Sequence, residues 1–290
     1  MLQSNFIKHL EQICSRIENK KVHLRAYEKI YGGDINQSYR LAMSETDYFI
    51  KINTINNKDM FDKEAIGLQI LIDSNSFVIP QVYQSGTFEN HSFLLMEYIE
   101  SLTAGSNPVN FAENLARLHQ NSADYYGLNT DNYIGEVPQI NTKSGNWITF
   151  YTQNRLAYQV RLGQKLIPVQ LQSRFEKLYH KLPEILYTEK PSLLHGDLWN
   201  GNYFYNRQGQ AVLFDPAVYY GHREVDLAMM SLFGGFEKEI YYKYNEIFPL
   251  ESGWKERLKI YQLYPLLVHV NLFGSSYLSA IEQILRQFTE

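Results

Sequence analysis

Three polar residues have the spacing that a phosphoryl-transfer site requires. Asp197 is followed five positions later by Asn202, and Asp215 lies thirteen positions beyond that, at the end of the apolar run 211–214. One carboxylate can receive or orient the proton of an attacking hydroxyl, while an amide oxygen and a second carboxylate can hold Mg²⁺ against nucleotide phosphates. Two capping acids and a turn asparagine would be the alternative. The spacing favours chemistry and predicts Asp197 as catalytic residue, with Asn202 and Asp215 as metal ligands.

The tripeptide His195-Gly196-Asp197 strengthens this interpretation. Its distance to Asn202 matches the catalytic loop of protein kinases, H-R-D-L-x-x-x-N, with Gly196 where those enzymes carry arginine. A histidine beside a glycine can brace a loop through backbone hydrogen bonds, and a neutral imidazole suits that role. We therefore expect His195 to be structural rather than catalytic.

A glycine-containing segment near the N-terminus is a candidate phosphate-binding loop. Gly32 and Gly33 precede Asn36 between two predicted strands, and glycines let backbone N–H groups approach phosphates. An ordinary hairpin turn would have the same composition, but the position ahead of the other elements favours a nucleotide loop. Asp34 would repel a polyphosphate unless it points away.

Lys51 and Glu64 form the next candidate pair. Lys51 lies in an apolar strand whose neighbours Ile50 and Ile52 should face the opposite side, and Glu64 lies on the following helix. A solvated edge lysine is the simpler interpretation. However, a strand lysine that follows a glycine loop contacts the α- and β-phosphates in kinases, and an acidic residue on the next helix holds it. The pattern therefore predicts Lys51 and Glu64 in the nucleotide site.

Two further segments are candidates for ligand contact. Glu97, Tyr98 and Ile99 follow an apolar strand and connect the two halves of the chain, so their backbone groups are expected to contact adenine. Trp199 lies two residues after Asp197 and could be a core residue. An aromatic ring projecting from a catalytic loop can instead pack against the C–H face of a sugar, and we favour that role.

Other polar residues are expected to be mainly structural. His119 ends a helical pattern and is predicted to be packed or capping, because the histidines show no metal-ligand spacing. Asp226 is predicted to cap a helix or to brace the catalytic loop. Arg223 and Glu224 could be structural or functional.

Hydrophobic periodicity predicts a change of character along the chain. A helix over 4–19, three strands within 24–53, a helix over 59–73 and strands near 81–87 and 92–98 come first. Mostly helical patterns follow, interrupted by short strands near 203–205 and 211–214. This order predicts an α+β, two-lobed protein-kinase-like fold. A small five-stranded antiparallel lobe with an inserted helix would span residues 1–98, and a larger helical lobe 99–290. The predicted later helices cover 108–121, 146–165, 168–186, 225–233, 237–248, 254–272 and 275–288.

Composition limits the possible partners and the compartment. The 290 residues carry a net charge of −4 without a long basic block, which argues against nucleic acid or an anionic membrane as partner. A single cysteine, Cys14, excludes a disulfide within this sequence and a cysteine-based zinc site. The N-terminal residues lack the apolar core of a signal peptide, and no apolar run approaches twenty residues, so a cytoplasmic location is expected. The oligomeric state is not fixed by the sequence, although a monomer is favoured.

The motifs resemble the fructosamine kinase (ketosamine-3-kinase) family, within the larger group of aminoglycoside phosphotransferase-like and choline kinase-like enzymes. The resemblance covers nearly the whole chain. It is most specific to this family in the runs 214–221 and 223–229, F-D-P-A-V-Y-Y-G and R-E-V-D-L-A-M. It implies ATP- and Mg²⁺-dependent phosphorylation of the carbon-3 hydroxyl of a fructosamine or ribulosamine, which leads to deglycation. The implied acceptor is a small ketosamine or a glycated amine on a protein.

The resemblance also assigns roles to single residues. Asp197 would be the base, Asn202 and Asp215 the Mg²⁺ ligands, Lys51 and Glu64 the phosphate-binding pair, and Trp199 part of the sugar site. Some relatives carry a redox-active cysteine in the glycine loop, where this chain has Asp34. Two alternatives remain: a kinase of another acceptor, such as an aminoglycoside, choline or a small alcohol, and a non-catalytic nucleotide-binding protein of the same fold.

Overall fold

A five-stranded antiparallel sheet forms the first part of the molecule. The computed structural model describes residues 2–31, 35–101 and 107–290. The strands lie in the order β1-β2-β3-β5-β4, and helix α2 (Lys58–Asp73) connects β3 to β4. This confirms the predicted sheet with its inserted helix. The strands are β1 (Ala26–Ile30), β2 (Gln37–Ala42), β3 (Asp47–Thr54), β4 (Val82–Phe88) and β5 (His91–Glu97).

The neighbouring strands β3 and β5 are buried on both faces, and this fixes the direction of Lys51. Helix α1 (Ser4–Ile17) covers one face, where Ile50 and Ile52 join a cluster with its apolar residues. Because side chains alternate along a strand, Lys51 between them points to the opposite face, towards α2. The predicted alternation in this strand is therefore confirmed.

Helices dominate the rest of the chain, as predicted. The predicted stretch 146–165 contains a π-helix, Tyr151–Ala157, between the short helices α4 (Trp147–Phe150) and α5 (Tyr158–Leu162). The other helices are α3 (Pro108–Gln120), α6 (Val169–Ile185), α7 (Glu224–Leu232), α8 (Lys238–Ile247), α9 (Trp254–Phe273) and α10 (Leu278–Thr289).

Four of the short strands in this part were not predicted. They contain three residues each, which is too short for a period of two to be recognised in the sequence. Two of them form a hairpin, and β8 pairs with β11 directly before the catalytic loop. The short strands are β6 (Asn132–Ile134), β7 (Val137–Gln139), β8 (Ser192–Leu194), β9 (Tyr203–Tyr205), β10 (Ala211–Leu213) and β11 (Tyr219–Gly221).

One hydrophobic core extends from the sheet into the helices. Leu94 and Met96 of β5 and Phe61 of α2 belong to the same buried cluster as Phe111 of α3 and Leu263 of α9. The two predicted lobes therefore share packing, and their division at residues 98 and 99 stays a prediction.

The described residues include no helix that is both long and apolar enough to span a membrane. Cys14 is buried in α1, and burial raises the pKa of its thiol to about 12. The thiol is therefore kept protonated and shielded. The cytoplasmic location stays a prediction.

Candidate active site

A buried carboxylate holds the loop that carries Asp197 in place. Asp226, near the start of α7, accepts hydrogen bonds from the backbone N–H of His195 at 2.8 Å and of Gly196 at 2.9 Å. His195 Nε2 lies 3.0 Å from the carbonyl oxygen of Phe214 and therefore donates to it. Its Nδ1 accepts the Asp197 backbone N–H at 3.4 Å. Burial lowers the pKa of His195, so the neutral imidazole braces the loop, as expected.

Gly196 is required by the close approach of the neighbouring chain. Its φ of +83° lies in the left-handed region. A Cβ built at this position would lie 2.0 Å from the carbonyl oxygen of Ala217, a distance that no real contact allows. The backbone geometry therefore explains why glycine occupies the position that is arginine in protein kinases.

Asn202 joins the predicted catalytic and metal-binding residues. Its Nδ2 donates to the backbone carbonyl of Asp197 at 2.9 Å, to the Asp197 carboxylate at 3.1 Å and to the Asp215 carbonyl at 3.4 Å. Its Oδ1 accepts no hydrogen bond from the part of the chain that the structure describes. Asp215 follows β10 with a φ of +54°, which aspartate tolerates better than most residues. Amide and carboxylate oxygens of the kind Mg²⁺ prefers thus lie on adjacent loops.

Two of the unpredicted strands hold the segment behind Asp215. Asn132 of β6 donates to the carbonyl of Val218 at 2.9 Å, and Gln139 of β7 donates to the carbonyl of Ala217 at 2.9 Å. Both side chains are buried. The hairpin therefore fixes the chain immediately after the candidate metal ligand.

Lys51 is buried between two carboxylates. Its Nζ lies 2.6 Å from Glu64, and it also donates to the Asp215 carboxylate. Burial alone would lower the pKa of Lys51, but the two carboxylates more than offset this and raise it. Burial also raises the pKa of Glu64. The lysine is thus a permanent cation in contact with both α2 and the candidate metal ligand.

The Asp197 carboxyl has a strongly shifted acidity. Burial raises its pKa to about 7, and the carboxylates of Asp215 and Asp226 act in the same direction, against the hydrogen bond from Asn202. A pKa near neutrality is typical of side chains that exchange protons during catalysis.

One cavity brings seven of the predicted site residues together. Strand β3, helix α2, the catalytic loop and the loop after β10 supply its polar end, which we define as Lys51, Glu64, Asp197, Asn202 and Asp215. Asn36 and Trp199 line the same cavity. Asn36 is held by Asn53, whose Nδ2 donates to its Oδ1 at 2.7 Å.

Two groups of predicted residues are not among the described residues that line this cavity. Gly32 and Gly33, with Asp34, lie outside the residues that the structure describes. Glu97, Tyr98 and Ile99 are absent from the described lining of the cavity. Glu97 pairs with Gln81 instead, donating its N–H to the Gln81 carbonyl at 2.8 Å. Adenine contact by this segment stays a prediction.

A second part of the cavity lining is aromatic and was largely missed from the sequence. We define this aromatic end as Trp199, Phe233, His269, Phe273 and Tyr277, all of which line the cavity. Only Trp199 was predicted there, and its ring folds over Gly201, where a Cβ would come within 2.2 Å of it. His269 and Phe273 are four residues apart on α9, which places them on one helix face. This four-residue spacing was the sequence signal that could have indicated a binding face, but core residues of a buried helix show the same spacing.

The remaining predicted polar residues have structural contacts. His119 is buried between the Tyr244 hydroxyl at 2.7 Å and Asp226 at 3.2 Å. Arg223 donates to the carbonyls of Phe248 and Pro249 at 2.6 Å each and to the Glu189 carboxylate at 2.9 Å. The Glu224 carboxylate accepts two hydrogen bonds from Arg257, at 2.6 Å and 2.9 Å. These contacts brace the helices behind the catalytic loop.

Known proteins share both the sequence and the fold. The fructosamine kinase family model matches residues 6–290. A probable ketoamine kinase of Enterococcus faecium is 42% identical over 264 residues, which cover 89% of this chain and 94% of that protein. The crystal structure of a putative fructosamine-3-kinase from Haemophilus somnus is 32% identical and covers 97% of each chain with a TM-score of 0.88.

A more distant structure supports the fold class alone. An aminoglycoside phosphotransferase in complex with gentamicin is 14% identical, covers 99% of this chain and 97% of its own, and has a TM-score of 0.67. This likeness confirms the predicted α+β, protein-kinase-like architecture. Combined with the family match over almost the entire chain, it leads to one conclusion: the chain belongs to the fructosamine kinase family, whose kinase activity implies ATP as phosphoryl donor.

Proposed function

We propose that this protein transfers the γ-phosphoryl group of ATP to the carbon-3 hydroxyl of a ketosamine, a fructosamine or ribulosamine. The observation that carries the proposal is the convergence of Asp197, Asn202, Asp215 and Lys51 on one cavity in a member of this family. The acceptor is a small ketosamine or a glycated amine on a protein. Because the phosphorylated product is unstable and releases the amine, the activity would serve deglycation.

The residues present fit a bound Mg²⁺. The donor set suits this metal because Asn202 Oδ1 is free of hydrogen bonds from the described residues, and its side chain contacts the backbone carbonyl of Asp215, whose carboxylate lines the same cavity. No group of three or more His, Cys, Asp or Glu residues could hold a metal within the described chain. Two protein ligands are what Mg²⁺ uses when phosphates and water complete its octahedron. Bound there, Mg²⁺ would neutralise charge on the phosphate oxygens.

Asp197 would orient the acceptor hydroxyl and take up its proton. Its carboxylate is held by Asn202 at 3.1 Å, and Asp226 fixes the backbone of the two residues before it, so the reacting oxygen would have a defined position. The transition state of phosphoryl transfer is loose, so positioning and charge neutralisation contribute more than strong proton abstraction.

Lys51 would bind the phosphates from the side of the sheet. Its ammonium currently contacts both Glu64 and Asp215, so phosphate oxygens would replace or join the Asp215 carboxylate as partners. Glu64 would keep the lysine aimed at the cavity. This arrangement uses a buried, permanent cation where negative charge accumulates.

Polycationic acceptors fit the cavity less well. The acidic residues among its described lining are Glu64, Asp197 and Asp215, and all three belong to the polar end. An aminoglycoside would require additional carboxylates around its ammonium groups, away from the phosphates. The charge distribution therefore favours a ketosamine with a single amine.

Turnover on an acceptor panel tests the proposal. ATP consumption would be measured with Mg²⁺ on a fructosamine, a ribulosamine, choline and an aminoglycoside, with the Asp197→Asn variant as control. Turnover confined to the ketosamines, dependent on Mg²⁺ and lost in the variant, is the expected result. Turnover confined to choline or the aminoglycoside would overturn the acceptor assignment. Thermal stabilisation by Mg²⁺ and ATP without turnover on any acceptor would instead indicate a non-catalytic nucleotide-binding protein.

A further inference from the structure

The aromatic end of the cavity forms a continuous row of rings. Trp199 contacts Phe233 edge-to-face with ring centroids 6.2 Å apart, and Phe233 lies 5.0 Å from His269. His269 in turn lies 5.5 Å from Phe273 and 4.9 Å from Tyr277. The row begins at Trp199, two residues from Asp197, and extends through Phe233 and His269 to Phe273 and Tyr277.

The end of α9 builds the outer part of this row. The helix stops at Phe273, and Gly274, with a φ of +91°, turns the chain into the short 3-10 segment Ser275–Tyr277. This turn brings Tyr277 back against His269. His269 is fixed in turn because its Nδ1 lies 2.7 Å from the carbonyl oxygen of Pro265 and donates to it.

Two rings of the row are accessible. Phe233 is 41% exposed and Phe273 is 51% exposed, although both line the cavity. Such exposure of large rings costs hydration free energy unless a ligand covers them. Among the described lining residues, the lysines are Lys51 of β3 and Lys63 of α2, so neither comes from the elements that carry the rings. Lys63 is hydrogen-bonded to Thr130 at 2.9 Å.

The chemistry of a ketosamine places its amine next to this row. The amine nitrogen is bonded to carbon 1, two carbons from the hydroxyl that would meet Asp197, so the two groups lie on the order of 5 Å apart at most by standard bond lengths. With the sugar beside Trp199, the substituent on nitrogen must leave the cavity past Phe233 and His269. Ring faces also attract a protonated amine within about 6 Å.

We propose that Phe273 and Tyr277, with His269 between them and the sugar, form a subsite for the nitrogen substituent of the acceptor. The subsite favours a large apolar substituent, aromatic or aliphatic, over a small one. It rests on the proposed function and adds to it, because it assigns acceptor preference to residues that take no part in phosphoryl transfer. Phe273 and Tyr277 thereby become specificity-determining residues.

Matched acceptors that share one sugar test this subsite. The ratio of kcat/KM for an N-benzyl ketosamine to that for the N-methyl ketosamine would be measured in wild type and in Phe273→Ala. Loss of one ring contact is expected to lower this ratio about 3- to 10-fold. The N-methyl acceptor should be affected little. Phe273→Tyr, which keeps the ring, should restore the ratio, and Tyr277→Ala should lower it in the same direction.

Controls separate this inference from the proposed function. Tyr242→Ala removes a tyrosine that is 61% exposed on α8 and does not line the cavity, so it should leave the ratio unchanged. An unchanged ratio in Phe273→Ala, or an equal loss on both acceptors, would overturn the subsite while leaving the kinase assignment intact. A folded wild type that phosphorylates neither ketosamine would overturn both proposals.

Discussion

The two ends of the active-site cavity are held in place by different physical means. At the polar end, each side chain is fixed by directional contacts: Lys51 by Glu64 and Asp215, Asn202 by Asp197. At the aromatic end, rings pack against rings at centroid distances of 4.9–6.2 Å, and His269 alone has a directional tie to the helix backbone.

The difference indicates which end tolerates change. Hydrogen bonds and ion pairs weaken steeply with distance and angle, so a small displacement of a polar-end residue removes its contribution. Ring contacts are less directional and can be replaced by other apolar contacts of similar shape. We therefore expect polar-end variants to impair phosphoryl transfer or ATP binding, and aromatic-end variants to change which acceptor is bound and how tightly.

The largest effect is expected for Asp197→Asn. The amide cannot accept the proton of the acceptor hydroxyl, so kcat should fall about 10²- to 10⁴-fold, the usual contribution of general acid–base catalysis. Steady-state kinetics on the best ketosamine would measure the loss, while stabilisation by Mg²⁺ and ATP in a thermal melt should be retained. A variant with wild-type kcat would remove Asp197 from the mechanism.

Lys51→Met should weaken the binding of ATP rather than that of the acceptor. Loss of a charge-assisted contact to phosphate is expected to raise the KM for ATP about 10- to 100-fold, because such hydrogen bonds are worth about 1.5–3 kcal/mol. The matched control is Lys29→Met, which changes an exposed lysine of the same sheet. An increase confined to the acceptor KM would contradict the assignment of the polar end to the phosphates.

Trp199→Leu should affect the acceptor rather than ATP. Removing a ring that packs against the sugar is expected to raise the acceptor KM about 10-fold while the KM for ATP stays near its wild-type value. Trp199→Phe keeps an aromatic face and should recover most of the loss. Equal effects on both substrates would show that the two ends of the cavity are not independent.

The smallest effect is expected on the stability of the folded protein, through the buried His222, and only at acid pH. Burial lowers the pKa of His222 to about 4, and its Nδ1 accepts the Glu224 N–H at 3.3 Å, so the folded protein holds it neutral. Below its unfolded pKa of about 6.5 the unfolded chain binds a proton that the folded chain does not, so stability falls as the pH falls from 6.5 towards 4. The groups that face it are Glu189, Arg223, Arg257, His119, Tyr187, Trp147 and Tyr261.

His222→Gln removes this titration. Denaturant unfolding at pH 7 and pH 5 should show that wild type loses about 2 kcal/mol more stability over this interval than the variant does. Both proteins share the titration of the remaining carboxylates, which cancels in the comparison. An identical loss in wild type and variant would mean that folding does not lower the pKa of His222.

The sequence predicted the polar end because phosphoryl transfer restricts residue type and spacing together. Asp197 and Asn202 lie in one short loop, and few other roles demand a carboxylate and an amide at that interval. The sheet and the long helices were predicted for a similar reason, since their periodic patterns extend over many residues. Strands of three residues, including those that carry Asn132 and Gln139, give no such pattern.

The sequence by itself therefore determined the family, the fold class and the identity of the residues at the polar end. The tertiary structure decided what those residues contact: Lys51 meets Asp215 from 164 positions away only because β3, α2 and the loop after β10 pack together. It also created the aromatic end from residues on the catalytic loop, directly after α7, at the end of α9 and in the 3-10 segment that follows. Aromatic residues are as common in cores as in binding sites, so their types carry no signal until folding brings their rings to one wall.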